Sequence, residues 1–151
     1  MDSKTPIPYI GMVNTRYLEA LIGYNARRAA LAIIGVFMER MGVHNLRTVD
    51  FSVLTLIVHN PGITSRQLSA SLGLKAPNLV GMILTLEKRC LIHRLPHPVD
   101  GRATGLHPSP EGLVLMRSAE KTAAQLEVET ATRLSPEERK TLNTLHKKVY
   151  K

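Results

Sequence analysis

Cationic and amide side chains between residues 64 and 102 are suited to contacts with nucleic acid. Lys75 and Asn78 lie at the start of a segment with helical periodicity, and Arg102 lies in a turn two residues after Asp100. Asn can make two hydrogen bonds to the edge of adenine, and Lys can reach guanine or a phosphate. A solvated helix start and a surface ion pair between Asp100 and Arg102 are the alternative interpretations. The predicted DNA-contacting residues are Ser65, Arg66, Lys75, Asn78, Arg94 and Arg102, with Arg66 and Arg94 at phosphates.

A second group of residues, near the N-terminus, is suited to binding an anionic small molecule. Arg27 and Arg28 lie inside an apolar segment, and a planar guanidinium fork binds carboxylates and phosphates well. The alternative is that both side chains extend along apolar surface to reach solvent at a dimer surface. We expect one mainly apolar cleft where the first helix meets the rest of the domain. The predicted ligand-binding residues are Tyr17, Leu21, Tyr24, Asn25, Arg27, Arg28, Phe37 and Phe51.

The sequence contains no recognisable arrangement of side chains for catalysis or for a metal. None of the patterns GxSxG, GxxxxGK[ST], GxGxxG and HExxH is present, so we expect neither an enzyme nor a cofactor. We also expect no metal site, because the chain has no Cys cluster and no H-x-x-x-H pair on a helix. The histidines considered are His59, His93, His97 and His107.

Composition and charge point to a polyanionic partner. The 151 residues include 20 Lys and Arg against 12 Asp and Glu, a formal charge of +8, and residues 64–107 alone carry six basic and two acidic side chains. Aromatic residues make up only 4%, which argues against a stacking platform for single strands. One cysteine excludes an intramolecular disulfide and fits a reducing compartment. The longest apolar run, 29–38, is too short to span a membrane, so we expect a cytoplasmic protein.

The predicted elements are mainly helices. Apolar residues recur at helical spacing over 15–41, and Gly42 is a suitable stop. Because this helix is apolar on more than one face, we expect it to pack against a second chain. Thr64 with Gln67, and Ser135 with Glu138, have the spacing of capping boxes. Further helices are predicted over 49–60, 64–72, 75–89, 109–133 and 135–150.

Residues 64–89 are predicted to form two helices joined by a tight turn at Gly73, the helix-turn-helix arrangement whose second helix enters a major groove. Strands over 91–95 and 103–107 would form a wing. The predicted fold class is therefore mainly α: a winged helix-turn-helix with a two-stranded wing and long terminal dimerisation helices. Its regions are an N-terminal arm and dimerisation helix (1–48), the winged DNA-binding region (49–108) and C-terminal dimerisation helices (109–151), within a single domain.

Five short motifs occur in a characteristic order. They are N-P-G-x-T and L-G-L-K-x-P before the two helices, L-I-x-R in the first strand, D-x-R in the wing and S-P-E-G at the next helix. With them the chain resembles the MarR (multiple antibiotic resistance regulator) family of bacterial winged-helix repressors, closely over 49–116 and in layout beyond. The resemblance implies a symmetric dimer that binds palindromic operators and releases them when a small ligand docks. It also implies that Asp100 orients Arg102, which enters the minor groove.

The chain departs from the family pattern at several positions, and two of these remove a cationic DNA contact. The family commonly has a base-facing Arg where this chain has Gly81, and D-R-R where it has Gly101 in the middle. Cys90 replaces a turn glycine, and we interpret it as structural, since a thiol switch would need exposure and a lowered pKa. The other departures are Lys75 for Ser, and Pro108 with Ser109 for L-T.

A narrower resemblance rests on G-Y-N-A-R-R-A at 23–29, with N-P-G and N-L-V later. These residues are similar to the MarR branch that senses hydroxycinnamoyl-CoA thioesters. We therefore expect a dimeric repressor released by a small anionic aromatic effector, such as an aromatic acyl-CoA. One alternative is a winged-helix architectural or protein-docking module that does not read sequence, which Gly81 and Gly101 favour. A CoA-binding enzyme is a third, disfavoured because no paired acid and base is present.

Overall fold

The computed structural model describes residues 13–130 and 132–151. Within them the chain forms seven α-helices and one antiparallel pair of strands, which confirms the predicted winged helix-turn-helix class. A 3-10 turn, Gly42–His44, follows the second helix. The elements are α1 (Arg16–Glu19), α2 (Ile22–Met41), α3 (Thr48–His59), α4 (Ser65–Leu72), α5 (Ala76–Lys88), β1 (Ile92–Pro96), β2 (Thr104–Pro108), α6 (Pro110–Thr130) and α7 (Pro136–Tyr150).

The hydrophobic core lies where α3, α4, α5, the strands and α6 converge. Leu54 and Ile57 of α3 and Leu68 of α4 are fully buried there. The helical period of 3.6 residues places such side chains on one face of each helix, and their removal from water is the main force that holds the helix-turn-helix to the rest of the domain. The C-terminal end of α2 joins this core through Met41, which is also fully buried.

Side-chain caps fix where three of the helices begin. The Thr64 hydroxyl accepts a hydrogen bond from the Gln67 backbone N–H at 3.2 Å, and the Ser135 hydroxyl accepts one from the Glu138 N–H at 3.1 Å. Both predicted capping boxes are therefore confirmed. At α6, the Ser109 hydroxyl accepts from the Gly112 N–H at 2.9 Å. Each cap satisfies a backbone donor that the first turn of a helix leaves free.

The single helix predicted over 15–41 is wrong, because it is interrupted before α2. Leu21 has extended backbone dihedrals and separates α1 from α2. The side-chain amide of Asn25 donates to the carbonyl oxygens of Glu19 at 2.7 Å and Leu21 at 3.0 Å. The bond to Glu19 supplies a donor to a carbonyl group at the interruption, while the Leu21 carbonyl also accepts the backbone N–H of Asn25 at 3.2 Å. The spacing of apolar residues continues across this interruption, so the sequence pattern did not indicate that the helix is broken.

The wing is slightly offset from its predicted position. The strands run one residue later than expected, with Ile92 paired with Pro108 and Pro96 with Thr104. A further bridge joins Ile63 to Leu106, so the turn before α4 is attached to the wing. Leu106 and Ile92 are buried on the inner side of the pair. The wing is thereby anchored to the helix-turn-helix at its base, while its tip extends into solvent.

The two terminal helices leave large apolar side chains exposed. On α2 these include Ile22 and Leu31, and on α7 Leu145 and Val149. A groove of about 970 Å³ runs between the two helices. It is lined by Ile22, Asn25, Ala26, Ala29, Leu142, Asn143, Leu145, His146, Lys147, Val149 and Tyr150. None of the described helices has the length and apolar character needed to cross a membrane.

Candidate nucleic-acid interface

The turn between α4 and α5 is built around one glycine. Gly73 ends α4 in the left-handed conformation, with φ at 63°, which a residue with a Cβ adopts only at a cost. The Leu74 N–H then bonds back to the Ser69 carbonyl, the closure found at many helix C-termini. The chain can therefore turn steeply within two residues. This geometry presents α5 across α4, as a helix-turn-helix requires.

The helix α5 has one buried side and one open side. Leu79, Ile83 and Leu86 are almost completely buried against the core. Lys75 and Asn78 are exposed, and Lys75 is the N-cap residue, with no side-chain bond to the helix. The two predicted base-contacting side chains are therefore free to reach a groove in front of the start of α5.

The predicted contacts on α4 lie at its N-terminus. Ser65 and Arg66 are the first two residues of this helix, and both are exposed. The start of a helix carries partial positive charge and free N–H groups, so phosphate oxygens bind there readily. The position of these two residues is therefore compatible with the predicted contacts to the DNA backbone.

Arg94 has a partner within the chain. Its Nε and Nη2 atoms donate to the two carboxylate oxygens of Glu87 at 2.6 Å and 3.0 Å. These hydrogen bonds lower the pKa of Glu87 and raise that of Arg94. Because Glu87 lies on α5 and Arg94 on β1, the pair fastens the wing to the end of this helix. A phosphate contact by Arg94, predicted above, would have to compete with the pair.

Removing this ion pair should change the acid stability of the protein. We expect Glu87→Gln to lower the free energy of unfolding by about 1 kcal/mol at pH 7, since both side chains are partly exposed. A carboxyl with a lowered folded pKa stabilises above its unfolded value near 4.5 and loses that effect as the pH falls through the folded pKa. Urea unfolding should therefore show a larger difference from the wild type at pH 7 than at pH 3.

Glu127→Gln is the matched control, because Glu127 is an exposed carboxylate on α6. It should leave the unfolding free energy within about 0.5 kcal/mol at both pH values. An equal cost of Glu87→Gln at pH 3 and pH 7 would contradict a role for the ionised pair.

The wing tip is held by bonds to side chains of its own turn. The Nδ1 atom of His97 accepts hydrogen bonds from the backbone N–H groups of Val99 at 3.3 Å and Asp100 at 3.2 Å. The Asp100 carboxylate accepts the backbone N–H of Arg102 at 3.0 Å. Asp100 therefore contacts Arg102 through the backbone N–H of that residue. The Arg102 side chain is exposed.

Cys90 occupies the turn between α5 and β1. Its φ is 56°, the conformation that a turn glycine would supply. Its carbonyl oxygen accepts the Ser109 hydroxyl at 2.6 Å, and the Ser109 N–H donates to the Leu91 carbonyl at 2.9 Å. The turn is thus joined to the start of α6. The thiol is exposed.

The predicted ligand-binding residues lie in two separate places. Phe37 and Phe51 pack edge to face with ring centroids 5.4 Å apart, where α2 meets α3. Tyr24 lies 13 residues earlier on α2, about 20 Å away along the helix. The two phenylalanines and Tyr24 are therefore not neighbours within one chain, and the shared cleft stays a prediction. Near Tyr24 lie the remaining residues, which are all exposed: Tyr17, Leu21, Asn25, Arg27 and Arg28.

A model of the MarR family matches residues 46–104, which span α3 to the start of β2. The winged region of this chain is thus similar to the MarR family. A proposed transcriptional regulatory protein for the hcr operon of Thauera aromatica is 28% identical over 131 residues, 86% of this chain and 79% of that protein. The transcriptional repressor CouR bound to a 23-mer DNA duplex is 28% identical, with a TM-score of 0.86 over 92% of this chain and 99% of that one.

A second structure of CouR, bound to p-coumaroyl-CoA, is also 28% identical and has a TM-score of 0.80. It covers 91% of this chain and 96% of that chain. The protein is thus a transcriptional regulator of the MarR type, and the similarity extends well beyond the winged region to the terminal helices.

The sequence analysis did not predict a structural role for Arg89. Its guanidinium donates to the carbonyl oxygens of Asn45 at 2.7 Å and His44 at 3.1 Å, and so ties the end of α5 to the turn after α2. Asn45 itself has φ at 50°. No pattern in the sequence pairs residues 44 positions apart, so this contact required the fold.

The sequence analysis also did not predict the groove between α2 and α7 or the residues that line it. Its signal was present, since Leu142, Leu145 and Val149 recur at spacings of three and four, the mark of an apolar stripe on a helix. Charged residues on the other positions of α7 made this apolar stripe difficult to recognise.

Three histidines of the wing and α3 make contacts with other side chains. His93 and His107 face each other across the strands with ring centroids 5.7 Å apart, and His59 Nε2 lies 2.6 Å from a Glu120 carboxylate oxygen. In residues 13–130 and 132–151, no three His, Cys, Asp or Glu side chains are grouped so that they could hold a metal ion.

Proposed function

We propose that this MarR-family regulator is a repressor that binds a palindromic operator as a dimer and is released by an anionic aromatic effector. The observation that carries the proposal is the open side of α5. It bears exposed Lys75 and Asn78 in a fold shared, at a TM-score of 0.86, with a repressor bound to duplex DNA. An α-helix fits the major groove of B-DNA, where every base pair presents a distinct pattern of groups.

The contacts divide by role. Lys75 and Asn78 would reach base edges from α5. Ser65 and Arg66 would hold the phosphate backbone, which fixes register without reading sequence. Arg102, at the tip of the wing, would enter the adjacent minor groove, whose negative potential is greatest where it is narrow. A charge of +8 on the chain adds the long-range attraction that brings the protein to DNA.

The dimer would form through the terminal helices. A palindrome requires two copies of the head, about 34–36 Å apart. The exposed apolar side chains of α2 and α7, including Leu31 and Leu145, are the surface that a second copy would cover, since apolar patches of this kind are rare on monomers.

The effector would bind near α2. The structure of CouR, which is 28% identical to this chain, has been determined with bound p-coumaroyl-CoA. We therefore propose that the effector of this protein is an aromatic acyl-CoA. Arg27 and Arg28 are exposed on α2 and could pair with the phosphates of CoA. The ligand would weaken DNA binding only through its different affinities for the two conformations, so a tenfold loss needs about 1.4 kcal/mol.

Footprinting on DNA selected from a random pool tests the proposal directly. A protected inverted repeat whose affinity falls steeply with salt is the expected result. Binding with equal affinity to unrelated duplexes would instead support an architectural winged-helix protein. Gly81 gives that alternative some support, because it provides no side chain on the open side of α5 that could reach a base.

Arg102→Ala should weaken every operator variant by a similar factor and reduce the slope of log affinity against log salt by about one unit. The reason is that a wing-tip arginine contacts the backbone and groove rather than a single base edge. Asn78→Ala should instead cost about 1–3 kcal/mol of discrimination at one base pair. Fluorescence anisotropy over a range of salt concentrations measures both effects.

Arg117→Ala is the control for Arg102→Ala, since it removes an equal charge from an exposed position on α6. An unchanged affinity and salt slope in Arg102→Ala would mean that the wing does not touch DNA.

The double variant Arg27→Ala with Arg28→Ala should abolish release of the operator by p-coumaroyl-CoA and leave operator affinity nearly intact. Without the two guanidinium groups, the thioester phosphates lose their paired cations. Titration of the preformed complex with the thioester measures the response. Arg117→Ala with Lys121→Ala, which removes the same charge from α6, should respond as the wild type does.

Release of the double variant at the wild-type thioester concentration would show that the arginines serve only the protein surface. If the thioester does not release the operator from the wild-type protein, this effector class is rejected, while the proposal of operator binding still stands.

A further inference from the structure

The open side of α5 carries apolar side chains where a DNA-reading helix could carry donors. Val80 is 54% exposed and Leu84 44% exposed, and they lie one turn apart on the same flank of the helix. Pro77 and Gly81 occupy the middle of this side. No atom of the chain lies within 4 Å of the position that a Cβ of Gly81 would take.

Beyond Asn78, this side offers few polar groups until the end of the helix. The Thr85 hydroxyl donates to the Gly81 carbonyl at 2.9 Å, so its hydrogen is used within α5. Glu87 is engaged by Arg94. Between Asn78 and Lys88, therefore, no side chain of α5 presents an unused donor, and the exposed surface there is mainly that of Val80 and Leu84.

In the major groove, only one base carries an apolar group that such side chains can contact, and that is the C5-methyl of thymine. We propose that Val80 and Leu84 are specificity-determining residues that contact thymine methyl groups in each half of the operator. The inference rests on the function proposed above and narrows it, because it states which bases the half-site contains.

The spacing of the two side chains sets the spacing of the thymines. Residues four apart on a helix are about 6 Å apart along its axis, and successive base pairs rise 3.4 Å. Val80 and Leu84 would therefore reach base pairs no more than about two steps apart in one half-site. The missing side chain at Gly81 lets α5 approach the floor of the groove closely enough for valine, which is short, to make contact.

The surface is continuous with the rest of the DNA interface. Lys75 and Asn78 are exposed at the start of this helix, within about two turns of Leu84. A protein partner for the apolar flank would have to occupy the space that DNA needs, and that occupant is tested by the same experiment.

The experiment replaces thymine by uracil, which removes only the methyl group. The duplex is the one enriched from a random pool by the wild-type protein, and each thymine of one half-site is substituted in turn. At one or two positions, we expect uracil to weaken wild-type binding about fourfold, the factor that corresponds to about 0.8 kcal/mol for one apolar carbon removed from contact. All other positions should be neutral.

Val80→Ala and Leu84→Ala supply the decisive comparison. Each variant should bind the thymine duplex several-fold more weakly and should no longer distinguish thymine from uracil at its own position. Val114→Ala makes the same change at an exposed valine of α6 and should retain the full fourfold distinction.

Three outcomes would overturn the inference, and they differ in what else they reject. Uracil that is neutral everywhere with the wild type rejects methyl contacts but leaves sequence-specific binding intact. Uracil that weakens Val80→Ala and Leu84→Ala as much as the wild type assigns the methyl contacts to other residues. Failure to enrich any duplex rejects the proposed function together with this inference, and would leave the apolar flank to a protein partner.

Discussion

Gly112→Ala is expected to lower the free energy of unfolding by about 3 kcal/mol, and with it the melting temperature by about 10 °C. A Cβ at this position would lie 2.1 Å from the Leu91 carbonyl oxygen, a backbone atom that cannot rotate away. The start of α6 would have to move off the wing, and the bond from the Gly112 N–H to Ser109 would be distorted. Thermal and urea unfolding measure the loss.

Gly81→Ala is the matched control, since it makes the same change inside a helix where the added carbon meets no atom within 4 Å. It should stabilise the protein by about 0.5–1 kcal/mol, the difference between Gly and Ala in a helix interior. A Gly112→Ala variant as stable as the wild type would mean that α6 and β1 are less closely packed than described.

Leu145→Asp should convert the protein to a monomer and reduce its operator affinity by at least about 100-fold. Leu145 is 52% exposed and lines the groove between α2 and α7, so a second copy would bury the new carboxylate without a partner. Two tethered heads bind a palindrome far more tightly than one, which sets the size of the loss. Sedimentation at micromolar concentration and operator binding are the two measurements.

Thr144→Asp tests whether the effect belongs to the groove. Thr144 is the preceding residue of α7, is exposed and does not line the groove. The variant adds the same charge, and we expect it to remain dimeric with nearly unchanged operator affinity. A Leu145→Asp protein that sediments as a dimer would place the subunit interface elsewhere.

The parts of the fold that local chemistry determines could be predicted from the sequence. Thr64 and Ser135 mark helix starts because their hydroxyl groups satisfy backbone donors three residues on. Gly73 marks the turn of the helix-turn-helix because of its left-handed backbone. In each case the residue that carries the signal and the group that it bonds lie within one turn of a helix.

The parts that depend on distant contacts could not be predicted in this way. At the interruption at Leu21, the Asn25 side chain donates hydrogen bonds to carbonyl groups four and six residues earlier. The spacing of apolar residues carries no information about these bonds. Arg94 carries the charge expected of a phosphate contact, yet its partner is Glu87, which only the packing of β1 on α5 brings near. Tyr24 and Phe37 are both assigned to the predicted cleft, but they lie 13 residues apart on α2, about 20 Å along its axis.

The hydrogen bonds of Arg89 join the end of α5 to the turn that follows α2, so a change in the direction of α2 would be transmitted to α5 through this joint. The opposite end of α5, near Lys75 and Asn78, lies 11 to 14 residues from Arg89, or about 17–21 Å along the helix. A rotation of only about 3° at the joint would therefore displace the DNA-facing end by about 1 Å over that length. Hydrogen bonds to base edges tolerate little more than that, so under the function proposed above a small angular change at the end of α2 would be enough to disturb base contacts.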